Sequence, residues 1–125
     1  METTIAYQKA QAWSIDPCIL KEDQNEILEL MNNQTEVNER FLKDLEFGTG
    51  GMRGVVGLGS NRINRYTICK ATKALVIQLL KEFNQSELSV CLSYDSRLSS
   101  RFLAEECASV LCAYGIKVHF FKHRI

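Results

Sequence analysis

Apolar residues repeat with a helical period in the first part of the chain. The spacing predicts a short helix in residues 1–16, which Pro17 interrupts because proline has no backbone N–H to donate. A second helix is predicted from Lys21 to Met31, and a third from Glu36 to Leu45, where apolar residues recur along one face. Thr35, at the end of a polar cluster, is the predicted N-cap of the third helix.

The longest helical pattern runs from Arg65 to Phe83. Its apolar positions follow the helical period and make a stripe wide enough to cover one face of a sheet. Asn64, directly before it, is the predicted N-cap. The pair Val55-Val56 further upstream predicts a short strand.

A strand, a helix and a second strand are predicted in the last third of the chain. Residues 88–94 alternate between apolar and small polar side chains, as a half-buried strand does. A helix follows to about Tyr114, with Ser99 or Ser100 as its N-cap and Gly115 as the left-handed residue that closes it. Residues 116–121 form the second strand. This βαβ unit implies parallel strands, a right-handed crossover and the α/β fold class.

Length, charge and hydropathy exclude several classes of protein. The 125 residues, 14.2 kDa, amount to one domain or less. Fifteen basic and 15 acidic residues give a net charge of zero with no basic run, which argues against nucleic-acid binding. No apolar run approaches the roughly 20 residues that span a bilayer, so we predict no membrane association. The N-terminus lacks the order of a signal peptide, which predicts a cytoplasmic location.

Five cysteines form an odd set without the spacing of a disulfide framework. We therefore predict reduced, mostly buried thiols. Cys107 and Cys112, followed by His119 and His123, offer a crude zinc pattern. Geometry argues against it, because histidines four residues apart on a strand are separated by about 13 Å at ~3.3 Å per residue.

Six of the seven glycines lie between Gly48 and Gly59. Glycine-rich backbone can present several amides to an anion, and Arg53 adds a planar donor fork suited to phosphate oxygens. The alternative is a tight turn leading into a strand, with Arg53 paired to an acid. Nucleotide fingerprints fit poorly, because no Gly-Lys-Ser/Thr follows and a helical segment, not a strand, precedes the glycines.

Two ordered motifs resemble the opening of the α-D-phosphohexomutases. The first is Phe-Gly-Thr-Gly-Gly-Met-Arg-Gly at residues 47–54, followed by Gly-Leu-Gly-Ser-Asn-Arg-Ile-Asn at residues 57–64. The second, Leu-Ser-Tyr-Asp-Ser-Arg-Leu-Ser-Ser at residues 92–100, is similar to the family's strand followed by Asp-x-Arg-x-Ser. The likeness is greatest to phosphoglucomutases and phosphomannomutases. It implies an incomplete three-layer α/β/α domain, truncated domain I, in residues 46–125, and a helical extension in residues 1–45.

The resemblance also implies a set of site residues and ligands. Arg53, with the backbone around Thr49 and Gly50, would bind the phosphate of a hexose phosphate such as glucose 1- or 6-phosphate or a mannose phosphate. Asp95 and Arg97 would brace the active-site loops; alternatively, Asp95 closes an Asx-turn and Arg97 pairs with a nearby acid. Enzymes of this family carry a phosphoserine and use Mg²⁺ while moving a phosphoryl group between the 1- and 6-positions of a hexose.

The family's phosphoserine, metal, sugar-selecting and distal phosphate loops do not occur in these 125 residues. We therefore expect an N-terminal fragment of a phosphohexomutase that is inactive alone, without a catalytic serine or a bound metal. One alternative is a stand-alone phosphosugar-binding module. Another is a fragment that docks, through a sheet edge after Phe121, on the missing C-terminal part of the enzyme.

Overall fold

The computed structural model describes residues 2–48 and 51–121. The helices in these residues are α1 (Glu2–Ile15), α2 (Lys21–Leu30), α3 (Gln34–Phe41), α4 (Arg65–Glu82) and α5 (Ser100–Ala113), with a 3-10 turn at Gln85–Glu87. The strands are β1 (Phe47–Gly48), β2 (Gly51–Met52), β3 (Ser89–Ser93) and β4 (Lys117–Phe121). This mixture of helices with a small parallel sheet confirms the predicted α/β class and is consistent with an incomplete α/β/α domain.

The first of two compact units extends to Thr67 and is built on α1, α2 and α3. Its core consists of small residues of α1 and larger apolar residues of the next two helices and the following loop: Ala6, Ala10, Ile27, Val37, Phe41 and Leu58. The Trp13 ring packs edge-on against the rings of Phe41 and Tyr66, with centroids 5.4 and 5.7 Å away. Burial of these apolar surfaces is what holds short helices that would be marginal in isolation.

Helix α3 differs from its prediction at both ends. The Asn33 side chain accepts a hydrogen bond from the Glu36 N–H at 3.2 Å, so Asn33 is the N-cap and the prediction of Thr35 is wrong. The helix ends at Phe41 and not at Leu45. Its last carbonyls accept hydrogen bonds from a later loop, which satisfies them without a further helical turn.

Short antiparallel pairing joins β1 and β2, with Phe47 opposite Met52 and Gly48 opposite Gly51. The predicted Val55-Val56 strand is reduced to a single bridge from Val56 to Ile63. The chain bends after Val56, so no longer ladder forms.

The second unit, from Ile68 onward, contains the predicted βαβ unit. Strands β3 and β4 pair in parallel, in register from Ser89 with Lys117 to Ser93 with Phe121. Apolar residues of α4, α5 and the segment before β4 make its core: Val76, Leu111 and Ile116. Gly115 has a φ of +76° and closes α5 as predicted, with its N–H bonded to the Cys112 carbonyl.

The predicted N-cap position of α5 is confirmed, and the predicted burial of the cysteines is wrong. Ser99 is the N-cap residue of α5, although its side chain makes no capping hydrogen bond. The Ser100 hydroxyl accepts a hydrogen bond from the Asp95 N–H at 3.1 Å. None of the five cysteines, all among the described residues, forms a disulfide, and they are not mostly buried: Cys18, Cys91 and Cys112 are exposed, and Cys69 and Cys107 are half-buried. On β3, for example, Cys91 belongs to the exposed set of alternating positions.

In the described ranges, no helix is long and apolar enough to cross a membrane.

Candidate functional site

Arg53 directly follows β2 and its side chain is exposed. Within residues 2–48 and 51–121, no hydrogen bond or ion pair engages its guanidinium. Its donor fork therefore faces solvent, where a phosphate can reach it. Thr49 and Gly50, the other two predicted phosphate contacts, lie outside the described residues.

The backbone just after Arg53 is held by hydrogen bonds within a loop that we call the Arg53 loop, residues 53–63. The Ile63 N–H donates to the Val55 carbonyl at 2.8 Å, and the Gly57 N–H donates to the Ile63 carbonyl at 3.0 Å. Gly54 approaches the Leu45 side chain so closely that an added Cβ would lie 2.7 Å from its Cδ1. These contacts fix the backbone of the loop just after the exposed side chain of Arg53.

The far side of the Arg53 loop rests on the C-terminal end of α3. The Asn61 N–H donates to the Arg40 carbonyl at 2.9 Å, and the side chains of Asn61 and Arg62 both donate to the Glu39 carbonyl at 3.2 Å. Gly59 has a φ of +129°, and a Cβ there would lie 2.5 Å from the Arg40 carbonyl oxygen. Only glycine permits this approach, so the loop and the helix end are matched in shape.

The Arg40 side chain joins α3 to the same loop. Its Nε donates to the Glu36 carboxylate at 2.8 Å, and its Nη1 donates to the Leu58 carbonyl at 3.2 Å. The side chain is 21% exposed, and Leu58 belongs to the core of the first unit.

Asn64 connects the Arg53 loop to α4. Its Oδ1 accepts the N–H groups of Tyr66 and Thr67 at 3.0 and 2.9 Å, which confirms the predicted N-cap. Its Nδ2 donates to the carbonyls of Gly57 and Gly59 at 2.9 and 3.0 Å. This buried side chain therefore satisfies a helix start and two loop carbonyls at once.

Tyr66, in the first turn of α4, ties that turn to α2. Its hydroxyl donates to the Asp23 carboxylate at 2.6 Å and accepts the Leu20 N–H at 3.0 Å. Burial, reinforced by the hydrogen bond to Asp23, raises the pKa of Tyr66 to about 12.

Asp95 and Arg97, in the second unit, bind each other. The Arg97 Nε and Nη2 lie 2.7 and 2.6 Å from Asp95 Oδ2, and the Arg97 N–H donates to Asp95 Oδ1 at 3.1 Å. The side-chain hydrogen bond from Arg97, followed by the one from its backbone, holds the pKa of Asp95 well below its usual value. Both the Asx-turn and the acid pairing named as the structural alternative are therefore present.

Sequence reasoning gave Arg53 but did not single out Arg40, Asn61 and Arg62, which support the Arg53 loop. Asn61 and Arg62 lie in the second part of the first motif, residues 57–64. Their position beside the glycines is the sequence feature that could have identified them. The sequence feature that could have pointed to Arg40 is its spacing of four residues from Glu36. This spacing is common on solvated helices and does not distinguish Arg40 from other arginines.

No group of three or more His, Cys, Asp or Glu side chains in the described part of the chain is placed to hold a metal ion.

Comparison with known proteins agrees with the motifs. The family model described as phosphoglucomutase/phosphomannomutase, alpha/beta/alpha domain I, matches residues 44–125. A phosphoglucomutase of Staphylococcus epidermidis is 33% identical over 99 residues, covering 78% of this chain and 18% of its own length. A phosphoglucomutase of Staphylococcus haemolyticus is 39% identical over 79 residues, which cover 63% of this chain and 14% of that protein.

A human phosphopentomutase is 32% identical over 96 residues, covering 71% of this chain and 16% of its own length. The chain thus spans less than a fifth of the length of these curated relatives. No solved structure matches it.

Proposed function

Because the chain belongs to the phosphoglucomutase/phosphomannomutase family, we propose that it supplies the phosphate-contacting opening of a phosphosugar mutase active site. Arg53 donates its guanidinium N–H groups to the phosphate of the sugar, and the backbone around Thr49 and Gly50 donates beside it. Asp95 and Arg97, the proposed supporting residues, hold the turn between β3 and α5.

The observation that supports this role is the exposed Arg53 guanidinium, which no described residue engages, on a loop whose backbone is hydrogen-bonded on its C-terminal side. A donor group left in water loses little when it binds an anion, and the fixed backbone reduces the entropy lost on binding. Charge-assisted hydrogen bonds of this kind contribute about 1.5–3 kcal/mol each.

The substrate class is a phosphosugar, a hexose phosphate in the first instance. The named relatives include phosphoglucomutases and phosphopentomutases, so the sugar ring is either a hexose or a pentose. In the whole protein the reaction is phosphoryl transfer between two positions of the same sugar. This chain contributes phosphate binding and orientation to that reaction.

The nucleophilic serine and the Mg²⁺ site belong to family motifs that are not among these 125 residues. Alone, the chain binds no Mg²⁺ and turns over no substrate, and its partner is the C-terminal part of the enzyme. A cytoplasmic location fits its five cysteines, none of which forms a disulfide.

A second candidate, a stand-alone phosphosugar-binding module, is favoured by the same exposed guanidinium. In that case phosphosugar binding is the whole function, and neither a partner chain nor phosphoryl transfer is involved.

Isothermal titration of glucose 1-phosphate into the 125-residue chain tests the role of Arg53. We expect saturable binding that Arg53→Ala removes, because the charged donor fork is lost. Arg101→Ala is the matched control, since Arg101 is also exposed but lies on α5 and pairs with Glu105. Absence of saturable heat, or equal affinity in Arg53→Ala, would contradict the proposal.

A further inference from the structure

We infer that Arg40 is a positioning residue for the Arg53 loop, although it lies upstream of the segment that the family model matches, residues 44–125. The inference rests on the proposed function of Arg53. If so, helix α3 contributes to the phosphate site through the side chain of Arg40.

The guanidinium of Arg40 connects two groups that no other described contact connects directly. Its Nε binds the Glu36 carboxylate within α3, and its Nη1 binds the Leu58 carbonyl in the Arg53 loop. The planar fork fixes the angle between these two bonds, which a flexible ammonium does not. At 21% exposure the side chain is also largely shielded from water, so the hydrogen bonds are weakly screened.

The two glycines that flank Leu58 leave room for this arginine. A Cβ on Gly57 would lie 3.1 Å from Arg40 Nη1, and a Cβ on Gly59 would lie 2.7 Å from Arg40 Cβ. The side chain and the backbone of Arg40 therefore occupy the space that the missing side chains open. The fit indicates that α3 and the loop are built to meet at this residue.

A short path leads from Leu58 to Arg53. The neighbouring Gly57 N–H bonds to the Ile63 carbonyl, and the Ile63 N–H bonds to the carbonyl of Val55, two residues after Arg53. Loss of the Arg40 contact therefore frees the end of a connected set of loop hydrogen bonds. The result is a wider range of positions for the Arg53 backbone, and a weaker grip on phosphate.

The competing explanation is that Arg40 and Glu36 form an ordinary helical ion pair, which contributes little. The chain offers a matched control for this. Arg101 and Glu105 on α5 also form an i,i+4 pair, in the reverse order along the helix, with an Nε–Oε1 distance of 2.9 Å against 2.8 Å from Arg40 Nε to Glu36 Oε2.

Amide hydrogen exchange on wild type, Arg40→Gln and Arg101→Gln separates the two explanations. In Arg40→Gln we expect the amides of Gly57, Asn61 and Ile63 to exchange about tenfold faster, because a charged hydrogen bond to the loop is lost. Arg101→Gln leaves these amides unchanged. Unchanged loop exchange in Arg40→Gln, or an equal change in both variants, overturns the inference.

Affinity for glucose 1-phosphate is the second measurement, because it changes if Arg40 positions the Arg53 loop and does not change if Arg40 only stabilises α3. At a temperature where circular dichroism shows every variant folded, we expect Arg40→Gln to bind about tenfold more weakly and Arg40→Lys to be intermediate. Should Arg40→Gln fail to fold, Arg40→Lys carries the comparison. Equal affinity in a folded Arg40 variant overturns the inference. Absence of binding by the wild type overturns the proposed role of Arg53, and loop exchange then decides the role of Arg40.

Discussion

Three arginines stand in the motifs that resemble phosphohexomutases, and the two that are predicted site residues, Arg53 and Arg97, differ in their surroundings. Arg97 is 84% exposed but its fork is engaged by Asp95, which neutralises its charge locally. Arg53 has no such acid among the residues described. A phosphate approaching Arg97 competes with a carboxylate, whereas one approaching Arg53 competes with no acid of residues 2–48 and 51–121. Arg53 is therefore the better candidate ligand.

Tyr66 allows a test of the hydrogen bonds between the first turn of α4 and the start of α2. Its pKa is raised from 10.0 to about 12, chiefly by burial. Because the folded state holds this proton more tightly, the stabilisation is complete below pH 10.0 and is lost as the pH rises through about 12. We expect the free energy of unfolding, from urea titrations, to fall across that interval.

Tyr66→Phe is the control, since phenylalanine keeps the ring contact with Trp13 but has no group to titrate. The variant is expected to be less stable at neutral pH and to show a shallower alkaline decline. A decline identical to that of the wild type would show that Tyr66 does not cause it.

Among the elements, α4 is the one whose start is tied most closely to the candidate site. Asn64 caps the helix with its oxygen and binds two loop carbonyls with its nitrogen. The first role was readable from sequence, because asparagine before an amphipathic stretch is a common cap. The second was not, because it depends on how the glycines fold back.

Asn64→Asp and Asn64→Ala separate the two roles of this side chain. Aspartate keeps the capping oxygen but loses the donor to Gly57 and Gly59. We expect Asn64→Ala to lose about 1–2 kcal/mol for the cap and a further ~1–3 kcal/mol for the unsatisfied carbonyls. Asn64→Asp loses mainly the second part. Equal unfolding free energies for the two variants would contradict this division.

The elements show where sequence patterns suffice and where they do not. The βαβ unit and α4 follow from periodicity alone, because their apolar faces are regular over many residues. Helix α3 ends at Phe41, four residues before its pattern does, because the Arg53 loop takes its last carbonyls. Contacts distant in sequence set that boundary, and they also select Arg40.

At the scale of the whole molecule, the chain contains two compact units, each with its own apolar cluster. The family membership and the α/β class that the motifs predicted are confirmed. The predicted boundary between residues 45 and 46 stays a prediction; the family match begins at residue 44, and the compact units divide after Thr67.

Catalysis depends on the whole molecule, because phosphoryl transfer requires a nucleophile, charge neutralisation and positioning in one site. We expect the purified 125-residue chain to show no turnover in a coupled glucose-1-phosphate assay with added Mg²⁺. A full-length phosphoglucomutase is the positive control. Activity of the chain above background, abolished by Arg53→Ala, would refute its proposed inactivity.

The proposed function requires the Arg53 loop to bind the phosphate of a sugar. A titration of glucose 1-phosphate, followed by backbone amide NMR on the wild type and on Arg53→Gln, tests this binding. We expect saturable shifts centred on residues 51–57 in the wild type and their loss in the variant. Shifts that centre elsewhere, or that persist in Arg53→Gln, would contradict it.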